Sequence, residues 1–133
     1  MKLRLLYRVT ARPTGVSRFG DTPYGSRSDY HLEGEVVGRV SGRFRAVDYG
    51  LAAPKGVHPV SLHVHETIET DDGLVSVMRR GYVVPEEGRG RVKATCTFQT
   101  SSKNLGFLNT TVALAEGYAD EKRGLRLSVF ALE

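Results

Sequence analysis

Glu66 and Arg79 flank an Asp71-Asp72-Gly73 turn, the part of the chain where residue pairing can be worked out by counting. Asp-Gly between two alternating apolar runs supplies the positive φ angles of a two-residue type I′ hairpin. With Asp72 and Gly73 as the turn residues, Asp71 faces Leu74. Counting outward then sets Ile68 opposite Val77, Glu66 opposite Arg79, Val64 opposite Gly81 and Leu62 opposite Val83. One face of this hairpin is apolar with a charged pair inside it. The other carries His65 opposite Arg80, His63 opposite Tyr82 and Thr67 opposite Met78, and is more polar. Burying either charge alone is costly, so the register supplies each with its partner in the same apolar layer. Beside an arginine that holds a carboxylate, carbonyl or enolate, the glutamate can accept or abstract a proton. The pattern equally describes a structural ion pair, and the two roles are compatible.

Further residues bear on chemistry. His58, His63 and His65 fall within a short stretch, and two imidazoles on one strand face can share an ion. A third ligand is not evident, so the expectation is an exposed polar strand face and no metal site. Cys96 sits on the apolar side of its alternation and reads as a small core residue with no histidine tied to it. Asn109, within Phe107-Leu108-Asn109-Thr110-Thr111, needs hydrogen-bond partners if buried. Glycine-rich phosphate loops, nucleophile elbows and paired zinc-ligand spacings do not occur, so no cofactor is expected. Glu66 and Arg79 are the catalytic candidates, and Tyr82, Asn109, Phe107 and Tyr7 the expected ligand-binding residues.

These residues must be positioned by strands. Leu3, Leu5, Tyr7 and Val9 alternate with Lys2, Arg4 and Arg8; Val36 to Phe44, Val92 to Phe98 and Leu125 to Val129 repeat the period of two. Val60 to Thr70, Leu74 to Val84 and Phe107 to Tyr118 complete the strand candidates, with Pro85, Gly88, Gly90, Gly106 and Gly124 as punctuation. Gly38 and Gly42 suit tight bending at a barrel corner. Arg12 to His31, with Pro13, Gly15, Gly20, Pro23 and Gly25, is expected to be a long binding or lid loop. Seven or more short-linked strands predict an all-β, mostly up-and-down antiparallel barrel, because closing the sheet removes its edges.

The 133 residues, 40% hydrophobic, suit one domain. Lys and Arg number 19 against 15 Asp and Glu, and the basic residues recur at alternate positions within apolar runs. That is the pattern of solvated strand faces, not of a nucleic-acid stripe with stacking aromatics. A single cysteine points to a reducing compartment, the cytosol by default. Lys2, Arg4 and Arg8 break up the apolar start where a signal peptide would be continuous, and no stretch approaches the roughly 20 apolar residues of a membrane helix. No membrane partner is expected, and association of barrels through outer strand faces makes a homo-oligomer an open possibility.

Several segments occur in an order that resembles the bacterial domain-of-unknown-function family numbered 3237, a set of small cytosolic barrels. They are Gly20 to Tyr30 with its Thr-Pro-Tyr-Gly-Ser-Arg run, Leu32 to Arg43 with Gly34, Val40 and Gly42, Thr70 to Arg80 with Asp-Asp-Gly, and Phe98 to Thr110. Phe107, Leu108 and Asn109 are similar to the family's Trp-Leu-Asn triplet, with the aromatic changed in a chain that has no tryptophan. Ala46, Val47, Asp48, Tyr49 and Gly50 stand loosely where the family carries a Gly-Gly-Ala-Asp-Trp-like run. The resemblance implies a calycin-like barrel with a cavity and supplies no reaction. The expected function is binding of an apolar metabolite with one polar anchor. The alternative is a cofactor-free lyase, isomerase or cyclase using a lumen carboxylate as acid or base, with Arg79, Tyr82 or Asn109 steadying an oxyanion.

Overall fold

The computed structural model describes residues 1–52 and 60–133. Eight strands follow one another: β1 (Leu3–Thr22), β2 (Gly25–Gly38), β3 (Gly42–Ala52), β4 (Val60–Thr70), β5 (Gly73–Glu86), β6 (Arg89–Gln99), β7 (Val112–Asp120) and β8 (Gly124–Leu132). Each pairs antiparallel with the next, and β8 returns to β1, closing the barrel. The alternation explains the layering. Val9, Val36, Phe44, Ile68, Val77, Val92, Phe98 and Val129 point inward and are buried, while Arg8, Arg43 and Lys93 lie on the exposed outer wall. Outer ion pairs such as Arg4–Glu133 and Arg45–Glu69 are solvated and contribute little to stability.

Two positions show why glycine is needed where strands cross closely. A Cβ on Gly34 would sit 2.0 Å from the Thr10 carbonyl oxygen, and one on Gly81 2.0 Å from that of Lys93. Both glycines pass against a neighbouring backbone that no side chain could share.

The Arg12 to His31 segment is not a loop. It forms the outer half of a long β1–β2 hairpin, paired from Arg12↔Glu33 to Thr22↔Gly25 and accommodated by register shifts at Pro13/Gly15 and Arg18/Gly20. Proline and glycine act there as bulge residues within a ladder. The β4–β5 hairpin also differs from expectation. Thr70 pairs with Gly73, so Asp71 and Asp72 form the turn, and every pair is displaced by two residues: Glu66 meets Val77, and Val64 meets Arg79. The Thr70 hydroxyl accepts from the Asp72 amide and donates to the Gly73 carbonyl, and the positive φ falls on Gly73 alone. This side-chain turn outcompetes the type I′ geometry, which would place Asp72 at positive φ. A slip of two preserves the faces, so Glu66 and Arg79 still point into the same layer.

The β6–β7 connection seals one end. It contains a 3-10 helix (Gly106–Thr110) where a continuous strand from Phe107 was expected. Leu105 and Leu108 join the core, Asn104 donates to Asp72 at the β4–β5 turn, and Arg39 of the β2–β3 turn lies 4.4 Å over the Phe107 ring. The segment therefore reaches two neighbouring turns. Among the described residues, no helix is long and apolar enough to cross a membrane.

Candidate functional site

At the end opposite the 3-10 helix the lumen opens into a cavity of about 210 Å³. Leu32, Leu62, Val83, Val92 and Leu125 form its apolar wall, Tyr30 and Pro13 its flank, and Asp120 and Glu121 of the β7–β8 turn its rim. Asp48 and Arg79 also line it. Larger concavities of about 780 and 610 Å³ lie on the outer wall, between side chains such as Arg80, Tyr82 and Lys93, or Arg12, Glu35 and Arg43. Those are open stretches of curved sheet bordered by solvated charges. Of these three concavities, the mouth cavity is the one bordered by the buried Arg79.

Three inward positions converge on that floor. On β3 the alternation Phe44, Ala46, Asp48, Gly50 puts a carboxylate where its neighbours are apolar, and the ladder sets Asp48 beside Val64 and Val64 beside Arg79. Arg79 Nε donates to Glu66 Oε2 at 2.7 Å, with only 1% and 3% of the two residues exposed. Burial opposes the guanidinium charge, but the Glu66 carboxylate, through charge and hydrogen bond, holds Arg79 above its ordinary basicity. Asp48 has no such partner. Its Oδ1 is shielded from solvent and makes no hydrogen bond among the described residues. Burial first, and repulsion from Glu66 and Asp29 second, push its carboxyl up to about 6 against the pull of Arg79.

Below this floor, Tyr7 packs edge-on to Phe98 with ring centroids 6.4 Å apart, and its hydroxyl also lacks a partner among the described residues. Burial and the nearby Glu66 raise Tyr7 well above the usual phenol range. Cys96, next to Arg79 on the ladder, is likewise buried and its thiol pushed up by burial and Glu66, which leaves it an inert core group.

Glu66, Arg79 and Tyr7 thus share the lumen, but only Arg79 of the three borders the cavity. The other expected ligand-binding residues lie elsewhere. Tyr82 is on the outer wall and 55% exposed, because it falls on the opposite strand face from Arg79. Asn109 is exposed at the sealed end. Its Oδ1 accepts from the Thr100 amide at 2.8 Å and its Nδ2 donates to the Thr100 carbonyl at 2.9 Å, so it is a structural clamp. Phe107 packs under Arg39 at that same end and cannot reach the mouth. His63 and His65 project from the outer wall, and His58 lies outside the described residues. Asp48 is the residue that the reading by motif missed. Its signal was present as a carboxylate on the apolar phase of β3.

No family model matches the chain, and no curated protein matches it. Solved structures do. A β-barrel-like protein from Acinetobacter baumannii is 22% identical, with a TM-score of 0.86 over 99% of this chain and 96% of that one. A protein of unknown function from Clostridium acetobutylicum is 18% identical, with a TM-score of 0.86 over the whole of both chains. An enzyme from Penicillium herquei is 17% identical, with a TM-score of 0.79 over 99% of this chain and 94% of that one. The likeness shows the fold alone.

Proposed function

We propose that the mouth cavity binds a small, largely apolar molecule through one polar group held between Asp48 and Arg79. The carrying observation is Asp48, half-buried at the floor of an apolar cup, with its Oδ1 shielded from water and unpartnered among the described residues. A buried polar group without a partner costs stability, and a ligand that donates to it repays that cost. Arg79 has donors beyond the Nε engaged by Glu66, so the matching anchor both donates to Asp48 and accepts from Arg79, as a phenol or hydroxy-carbonyl does. At about 210 Å³ the cavity is below the roughly 300–1,000 Å³ of sites for drug-sized ligands, which favours a single-ring or short-chain molecule. The barrel, the Thr-Pro-Tyr-Gly-Ser-Arg run around the β1–β2 turn and the position of Asp48 fit membership of the family numbered 3237.

A second reading is favoured by the carboxyl that titrates at about 6. It is a cofactor-free lyase, isomerase or cyclase in which Asp48 moves the proton and Arg79 steadies the developing oxyanion. Glu66, its oxygen engaged by Arg79, is a positioning residue in this scheme. Likeness in fold to an enzyme is compatible with it and names no reaction.

Thermal-shift measurement of wild type, Asp48→Asn and Tyr82→Phe against small phenols, lactones and hydroxy-ketones tests the binding reading. A stabilising compound should act equally on Tyr82→Phe and lose its effect in Asp48→Asn. Stabilisation that survives in Asp48→Asn contradicts the site. Turnover of that compound by wild type, absent in Asp48→Asn, distinguishes the enzyme from the binding module.

A further inference from the structure

On the outer wall, away from the lumen, His63 and His65 project from the same face of β4, with His65 exposed. Alternate residues of a strand share a face, and here the two rings lean together with centroids 5.0 Å apart and an interplanar angle of 37°. Their Nε2 atoms are 3.2 Å apart, a hydrogen-bond contact in which one ring donates to the other and which a bound cation would replace. Two imidazole nitrogens bound to one ion at about 2.0–2.1 Å stand ~2.9 Å apart at a right angle and ~3.3 Å apart at a tetrahedral angle. The observed separation lies within that bite.

The surroundings hold the pair in place. The Tyr49 ring meets both imidazoles edge-on, at 6.2 Å from His63 and 5.8 Å from His65. Arg27 in turn lies 5.6 Å over the Tyr49 ring while its guanidinium is bonded to Asp29. The β4 backbone is paired on both sides at His65, with Val47 and Met78, and on the β5 side at His63, with Arg80, so the backbone need not be ordered on binding.

We propose that His63 and His65 form a two-nitrogen chelate for a borderline divalent cation, with its remaining coordination positions open to outside ligands. Imidazole selects copper, nickel and zinc over magnesium or calcium. Arg80 faces His63 across the ladder and opposes a dication, which favours the tightest-binding ion of that series, Cu²⁺. A chelating pair needs no third protein ligand, and that missing ligand was the ground on which the sequence pattern excluded a metal.

Titration of the intact protein with Cu²⁺, followed by calorimetry and electron paramagnetic resonance, tests the site. Wild type is expected to bind one Cu²⁺ per chain with nitrogen hyperfine structure from two imidazoles. His63→Asn and His65→Asn should each weaken binding by about tenfold or more. His31→Asn, whose ring is on a different strand, should leave it unchanged. All three substitutions are on the outer wall, and melts without metal confirm that the variants are folded. Equal affinity in the His63→Asn/His65→Asn double variant, or wild-type binding no tighter than that variant's, overturns the proposal.

Discussion

Asp48, Arg79 and Glu66 set the stability and the pH response of the lumen. In the folded chain Asp48 holds its proton up to about pH 6, whereas an unfolded aspartate releases it near pH 3.9. The folded state therefore binds more protons between those values, and stability contributed by this group falls as pH rises through that window. Above it the ionised Asp48 costs roughly 1–3 kcal/mol. Asp48→Asn is expected to lack this loss and to raise the melting temperature at pH 7.5 by several degrees, with little gain at pH 4.5. A lower melting temperature for Asp48→Asn at pH 7.5 would mean that the carboxylate is already satisfied. The neighbouring ion pair behaves oppositely. Arg79→Leu strands a buried carboxylate and should cost about 3–5 kcal/mol in a urea melt, while Arg79→Leu with Glu66→Leu should recover much of that. Equal losses in the single and double variants would show that the pair is not coupled.

Strands, turns and the connection across the sealed end decide which residues can reach a ligand. Asn109→Ala removes both hydrogen bonds to Thr100 and should lower stability by ~1–2 kcal/mol while leaving cavity binding intact. A ligand affinity that falls in folded Asn109→Ala would return that residue to the site. Gly81→Ala forces a Cβ against the Lys93 carbonyl and should destabilise by at least ~2 kcal/mol, read in the same melts. The alternating runs made the barrel-forming part of each strand legible through its period-two burial, whereas the outer half of the β1–β2 hairpin lacks that alternation. Turn chemistry was not legible. Thr70 caps the Asp71-Asp72 turn with its hydroxyl, a local competition that Asp-Gly counting cannot reveal, and Pro13 and Gly20 looked like loop residues because bulges use the same residue types. Asn109 was misplaced for a related reason: Phe107 to Thr111 carries the aromatic and β-branched residues that strands favour but winds into a 3-10 turn with Leu108 buried.

Among the described residues the molecule is a barrel sealed at one end and open at the other, and this polarity is what separates function from structure within it. Charge pairs on the outer wall, such as Arg91–Glu116, are solvated, whereas the lumen concentrates its few polar groups beneath the open mouth. Chain topology explains why the sequence located Glu66 and Arg79 but not their relation to Asp48: the first two belong to one hairpin, while Asp48 joins them only through the β3–β4 ladder. The most direct test of the central claim is a methyl-resolved nuclear magnetic resonance titration of wild type and Asp48→Asn with 4-methylphenol, a single apolar ring bearing one hydroxyl. Saturable shifts confined to Leu32, Leu62, Val83, Val92 and Leu125 in wild type, and at least tenfold weaker in Asp48→Asn, are the predicted result. Absence of saturable shifts at these methyls, or the same affinity in Asp48→Asn, would contradict it.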